Sequence, residues 1–341
     1  MDSITQIVLG AAVGEVLMGK KMGNKAQLIG AIAGTVPDLD VLTSFWIHDE
    51  VTKLHIHRGY SHAVFTHVFL AIPMAYITAL FFKKKYSFKD LYWVWFWALF
   101  THALLDCCTT YGTQLFLPFS NYLVGFNNVS IIDPLYTLPF MGFLIACLFY
   151  RKDDPRRIQL AWLAVWISTA YMLLTCMFKY DAHRHIEIAL QEQHLSHEEL
   201  STSPTIFNSF LWAGIAADDS LIHVSEYSIF QGDRPIEFAT YPRNLSLEKG
   251  WESEALSTAK WFSQNKYFIK SESSDTINFF NIKWGRGDFT KQDPKEAFMF
   301  YTQLTKVGDE VKFRTIEPTF KDGQISEALG KLWERTFSAN K

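Results

Sequence analysis

Cysteine is scarce in this sequence of 341 residues, which holds four. All of them, Cys107, Cys108, Cys147 and Cys176, fall in or beside apolar segments. That excludes a disulfide scaffold for the polar tail and reads as small buried hydrophobes. A bias of charge is missing too. The 32 Lys and Arg against 35 Asp and Glu leave a formal net charge of -3, so nothing in the totals asks for a nucleic-acid partner. The opening residues MDSITQ carry an acid and no basic n-region, and the small-residue run behind them carries Glu15, so no cleavable signal is expected. The tail beyond residue 205 has no nucleophile triad, no phosphate loop and no zinc-finger spacing.

What is present is unevenly distributed apolar sequence. The overall hydrophobic share of 49% looks ordinary. Yet residues 62–82, 91–105, 137–150 and 158–178 are strongly apolar, and they include Trp93, Trp95, Trp97, Trp162 and Trp166. A membrane helix needs about 20 residues. Segments 61–82 and 158–178 meet this, 91–110 and 131–150 reach it with polar groups gathered at one end, and 3–19 and 26–36 are short. The expectation is a polytopic α-helical membrane domain over residues 1–180, with about six membrane elements, two of them short. Segment 181–204 reads as an amphipathic linker. Residues 205–341 change to a strand pattern, at 222–230, 266–270, 275–283, 297–303 and 311–316, with a helix at 251–265 and turn signals at Gly232-Asp233 and Asp322-Gly323. This predicts a small soluble α+β domain with an antiparallel sheet.

Basic residues short of acidic partners mark cytoplasmic loops. Three turns qualify: Lys20, Lys21 and Lys25; Lys83, Lys84, Lys85 and Lys89; and Arg151, Lys152, Arg156 and Arg157. With these inside, both termini and the 205–341 domain lie outside. The same assignment gathers Asp2, Asp38, Asp40, His55, His57, His62, His67, His102, Asp106 and Asp133 at the outer ends of the spans. Ionisable groups at membrane depth are costly unless paired or ligated, and they usually mark function.

Three clusters stand out. His102 and Asp106 are spaced i, i+4 and share a helix face. The PDLD element offers Asp38 and Asp40 beyond a proline break. HIHRGYSH supplies His57 and His62 around Arg58. Mixed imidazoles and carboxylates suit zinc, manganese or iron better than a thiolate-rich structural site. Each cluster has a plainer reading: a hydrogen-bonded pair, a helix cap for Asp38 or Asp40, or basic side chains at the headgroups. Asp133 before Pro134 reads as an N-cap. These readings serve one cluster at a time and leave the shared depth unexplained.

MDSITQIVLGAAVG, GTVPDLD, HRGYSH and THALLDCCTTYGTQLFLPFS, in that order, resemble the LexA-induced inner-membrane metal-dependent hydrolase family, also called YdjM-like. The resemblance covers residues 1 to about 180, and the tail is similar to the extension of longer members. It implies a metal site drawn from Asp38, Asp40, His57, His62, His102 and Asp106, with Arg58 beside it and Asp2 and Asp133 as further acids. The chain departs from the pattern at Gln6, where the family usually has histidine. A divalent ion, zinc or manganese, would then serve hydrolysis of a phosphoester in a lipid or lipid-linked substrate at the outer face of a bacterial inner membrane. Arg58 suits phosphate, and Asp38 and Asp106 are candidate catalytic carboxylates. The alternatives are divalent-ion or small-solute transport or binding, and a membrane anchor for the outer domain.

Overall fold

The computed structural model describes residues 1–232, 234–289, 291–308, 310–317 and 324–337, the side chains of 324–326 excepted. The chain divides into two compact units, one of residues 1–48 and 55–175, the other of residues 49–54 and 176–341.

The first unit begins with α1 (Ser3–Met22), whose N-cap Asp2 accepts a hydrogen bond from the Thr5 amide at 3.0 Å. After Gly23, with φ of +61°, α2 (Asn24–Thr35) folds back along it. The two backbones touch through glycine. A methyl group on Gly30 would lie 2.0 Å from the Gly10 carbonyl oxygen, and one on Gly10 would lie 2.2 Å from that of Gly30. A 3₁₀ segment, Pro37–Phe45, continues from α2 with a bend of 49°. The short helix α3 (Glu50–Ile56) and a 3₁₀ turn, Tyr60–His62, then lead into α4 (Val64–Phe81).

Helix α4 shows its small side to its neighbour α5 (Phe88–Cys107). Ala71, Ala75 and Ala79 are buried in the same cluster as Leu91, Val94, Trp95 and Ala98, and the Trp95 indole donates to Thr78 Oγ1 at 2.9 Å. Large apolar side chains such as Phe69, Ile72 and Ile77 point outward. Small residues inside and large apolar ones outside is the arrangement of a helix whose solvent is lipid. Helix α6 (Pro134–Leu148) starts at the Asp133 cap, and α7 (Pro155–Glu192) follows.

The expected count of about six membrane elements is corrected. Among the described residues, two helices are long and apolar enough to cross a membrane, Val64–Phe81 and Pro155–Glu192, or three if the bent pair Asn24–Thr35 and Pro37–Phe45 counts as one span. Helix α6 has 15 residues, about 22 Å at ~1.5 Å per residue. That is short of a hydrocarbon core of roughly 30 Å. Helices α1 and α5 each reach 20 residues, but polar and ionisable groups dilute them: Gln6, Glu15, Lys20 and Lys21 in the first, Lys89, Asp90, His102 and Asp106 in the second. Apolar runs alone overstate spans where the polar groups of a helix are buried inside the bundle. Residues 158–178 and the stretch after them also form one helix of 38 residues instead of a span followed by a separate linker helix.

The three basic turns meet at one end of the unit. Lys21 pairs with Asp90, and Lys25 sits over the Phe82 ring. Arg157 is buried rather than displayed. Its Nε and Nη2 donate to the two oxygens of buried Glu15 at 2.7 and 2.6 Å, and Nη1 reaches Asn24 Oδ1 at 2.6 Å and the Tyr150 carbonyl at 2.8 Å.

The second unit contains two four-stranded antiparallel sheets. The first runs in the order β1 (Glu199–Pro204), β2 (Leu211–Ala217), β3 (Leu221–Ser228), β4 (Phe238–Pro242). The second runs β5 (Tyr267–Ser273), β6 (Thr276–Asn281), β7 (Tyr301–Val307), β8 (Glu310–Ile316). Helix α8 (Glu254–Ser263), capped by Ser253, packs Ala255, Leu256 and Ala259 against β5, β6 and β7. Tyr241 of the first sheet stacks on Phe268 of the second at 4.8 Å, and Phe268 stacks in turn on Phe280 of the neighbouring strand at 4.7 Å. The antiparallel α+β character is as expected, with two sheets in place of one. Strands β1, β2 and β4 carry no alternation to betray them, and every residue of β2 is buried. The expected strand at 297–303 begins at Tyr301, since Pro294–Ala297 form a helical turn. Asp233 and the Asp322-Gly323 turn lie outside the described residues.

Two stability measurements test this packing. Gly30→Ala should cost roughly 1–3 kcal/mol by forcing the helices apart, read as a lower melting midpoint in detergent. Glu15→Ala, which strands a buried guanidinium, should cost about 3–5 kcal/mol, while the apolar pair Glu15→Leu with Arg157→Met should recover much of it. A double variant as unstable as the single one would refute the stranded-charge account.

Candidate metal centre

Four side chains from three parts of the sequence converge in the first unit. Asp38 comes from the 3₁₀ segment after the bend, His62 ends the turn before α4, and His102 and Asp106 lie one turn apart on α5. One ligand atom from each lies within 4.8 Å of all the others. His62 Nε2 is 3.1 Å from His102 Nε2, 3.5 Å from Asp38 Oδ1 and 3.1 Å from Asp106 Oδ2. His102 Nε2 is 3.4 Å from Asp38 Oδ1 and 3.6 Å from Asp106 Oδ2. His62, His102 and Asp106 are fully buried, and Asp38 keeps 22% of its side chain exposed at the mouth.

The position of the imidazole protons follows from the partners on the far side of each ring. His102 Nδ1 lies 2.6 Å from the Gly34 carbonyl oxygen, which can only accept, so the proton is on Nδ1. Ser61 Oγ donates its single proton to Asp40 Oδ2 at 2.8 Å and must therefore accept from His62 Nδ1, 2.9 Å away. In their neutral forms, with the proton on Nδ1, His62 and His102 turn their Nε2 lone pairs toward one another and toward two carboxylate oxygens. Asp106 Oδ2 is buried with no hydrogen-bond partner. Four electron-rich atoms facing a common centre fit a cation. Bonds of about 2.1 Å would set tetrahedral edges near 3.4 Å, and the five separations above run from 3.1 to 3.6 Å.

The remaining residues singled out in the sequence surround this centre. Asp40 accepts from the Arg58 amide at 2.9 Å and from Ser61, and its Oδ1 is 3.0 Å from His57 Nδ1; its carboxylate is engaged there and not among the four converging atoms. His57 also meets the Tyr111 ring edge-on at 5.1 Å. Arg58 is buried with a φ of +55°, a conformation costing a non-glycine residue about 1–3 kcal/mol. Backbone bonds to Asp40 and from the Gln114 amide, at 3.0 Å, hold it there. Its Nε lies 3.3 Å from Asp106 Oδ2, Nη1 donates to Thr109 Oγ1 at 2.9 Å, and the guanidinium covers the Tyr111 ring. Burial pushes the Tyr111 hydroxyl up to about 12, so the phenol stays protonated.

Gln6 donates from Nε2 to Asp106 Oδ1 at 2.9 Å and to the His102 carbonyl at 3.3 Å. The Met1 ammonium donates to the same Asp106 oxygen. Asp2 and Asp133 serve as helix caps, and Asp133 also accepts from the Tyr171 hydroxyl at 2.9 Å. Gly34, Ser61 and Thr109 were not singled out by the sequence. Ser61 had a signal, since it sits inside HRGYSH; a backbone carbonyl such as that of Gly34 has none.

Comparison with known proteins agrees with the site-bearing unit. The family described as "YdjM inner membrane protein" matches residues 1–182. The chain is also 22% identical, over 219 residues, to the uncharacterized protein YfhP of Bacillus subtilis (strain 168). That alignment takes in 60% of this chain and 62% of the relative, so the chain spans less than two thirds of that protein. No solved structure matches. On the match to residues 1–182, which carries all four converging side chains, the chain belongs to the YdjM family of inner membrane proteins.

Proposed function

We propose that the protein is a membrane-bound metal-dependent hydrolase that cleaves a phosphoester of a lipid or lipid-linked substrate at the outer face of the inner membrane. The observation that carries this reading is the convergence of the His62 and His102 Nε2 atoms with the Asp38 and Asp106 carboxylates inside a buried site. Asp38, His62, His102 and Asp106 would hold the ion. Zinc or manganese suits their imidazole and carboxylate donors, and the neighbouring Cys107 is packed in a separate apolar cluster. A divalent cation there would polarise a phosphoryl oxygen and acidify a water.

The chain's own residues supply the rest. Arg58 brings a fixed positive charge to the Asp106 side of the centre, suited to a phosphate. Asp38, at the open side, is placed to take a proton from the attacking water. Water adds at phosphorus, the bond from phosphorus to the ester oxygen breaks, and the departing alcohol gains the proton that Asp38 took from the water. Gln6 holds Asp106 in place, while Ser61 and Gly34 fix the two imidazoles. The basic turns at the opposite end of the unit support an outer location, and a reporter fused after Lys341 that works only in the cytoplasm would refute it.

Elemental analysis of the protein purified in a non-chelating detergent buffer tests the metal. Wild type reconstituted with zinc or manganese should hold the ion and His102→Ala should lose most of it; metal contents near zero in both would end the metalloenzyme reading. Gln6→Ala should weaken metal affinity by about 10- to 100-fold, the usual cost of removing a group that orients a ligand. Arg58→Ala should retain the ion while raising KM for phosphate esters, and equal loss of ion in this variant would assign Arg58 to the metal shell instead.

A further inference from the structure

An apolar groove runs down the outside of the first unit beside the metal centre. Tyr60, Phe65, Thr66, Phe69, Leu70 and Pro118 line about 450 Å³ of space. That volume falls within the range of roughly 300–1,000 Å³ typical of small-ligand sites. Phe65 and Phe69, 47% and 55% exposed, form part of its wall.

Three observations say what covers the groove. First, four of its residues lie on Val64–Phe81, one of the two helices apolar and long enough to cross a membrane, so the surrounding medium is hydrocarbon. Second, the groove adjoins the metal centre. Tyr60 and His62 are the two ends of one 3₁₀ turn. The opposite wall, at Pro118, belongs to a loop pinned to the same region by the Val64 amide on the Leu115 carbonyl at 3.1 Å and by the Gln114 amide on the Arg58 carbonyl at 3.0 Å. Third, the polar groups stop at the top. Below Thr66 the lining is phenylalanine and leucine, which can recognise a chain but not a headgroup.

We infer that the groove receives one hydrocarbon chain, acyl or prenyl, of the substrate, so that the phosphoester at its head reaches the Asp38 side of the metal centre. The inference rests on the hydrolase reading and narrows it: the preferred substrate is an amphiphile with its phosphate close to the start of a single chain. Leu70 lies four residues beyond Thr66 on α4, about 6 Å further down. Selectivity should therefore rise with chain length and level off once the chain passes the end of the groove.

The test uses the full-length protein in nanodiscs, loaded with metal, and two kinds of probe. The first is a series of n-alkyl monophosphates of increasing length. With substrate expressed as its mole fraction in the nanodisc lipid, KM should fall as methylenes are added until the groove is filled. Leu70→Trp, which fills the lower part, should shorten the length at which KM levels off, while Ile72→Trp, on the exposed apolar face of α4 outside the groove, should not. The second probe is an alkyl phosphate with a terminal diazirine. On illumination it should mark peptides covering 65–70 and 116–119 in wild type and far less in Leu70→Trp. Metal content equal to wild type shows that each variant is folded. KM independent of chain length, with hydrolysis intact, would overturn the groove and leave the hydrolase standing. Labelling spread evenly over the apolar faces of α4 and α7 would overturn it as well. Localised labelling without hydrolysis of any phosphate ester would keep the groove and refute the hydrolase.

Discussion

The position of two protons governs the site. His62 and His102 each give their Nδ1 proton to an acceptor on the outer side of the ring, Ser61 and the Gly34 carbonyl respectively. Each ring thereby turns its Nε2 toward the other and toward carboxylate oxygens. Reversing either tautomer would fill the centre with a proton and leave no room for a cation. Asp40, Ser61, Gly34 and the turn that carries Arg58 all bear on this one arrangement.

That arrangement depends in turn on helices that come unusually close. The Gly34 carbonyl reaches His102 because α2 lies against α1 without side chains between Gly10 and Gly30. The same contact brings Gln6, on the preceding turns of α1, to Asp106. Lipid gives little net drive for one helix to leave it for another, so packing of small residues and a few buried polar bonds must hold the bundle. Further on, the Glu15–Arg157 pair does this with charge. The two devices sit side by side along α1, one built on the absence of side chains and the other on a pair of long ones.

Much of the site could be read from residue types and spacing. His102 and Asp106 declare a common face by being four apart on a helix, and PDLD and HRGYSH declare ligand chemistry without any geometry. What the string of letters does not contain is direction. Whether Asp38 or Asp40 turns inward is decided by a 3₁₀ bend and by Ser61, and the carbonyl that sets the His102 tautomer has no side chain to be noticed. The span count went astray for a related reason: α1 and α5 look apolar on average, but they bury Gln6, Glu15, His102 and Asp106 in the bundle and carry lysines at one end, and α6 is simply too short. In the second unit, β3, β5, β6 and β8 fall largely where aromatic and branched residues suggested. LWAGIAA was silent, because a strand buried on both faces and built partly of alanine and glycine has neither alternation nor propensity to offer.

Residues 49–54 break the simple order of membrane part first and soluble part second. They belong with the second unit: Val51 is buried in the core that contains Trp251, Ile269 and Phe279, and Glu50 accepts from the Thr315 amide at 2.6 Å. The chain therefore crosses from one unit to the other three times, near residues 48, 54 and 175. For anyone trimming the gene, no single stop codon separates the halves. A protein ended at residue 175 would display Val51 bare and leave the Glu50 carboxylate without its amide, in the segment of chain that joins Asp40 to His57.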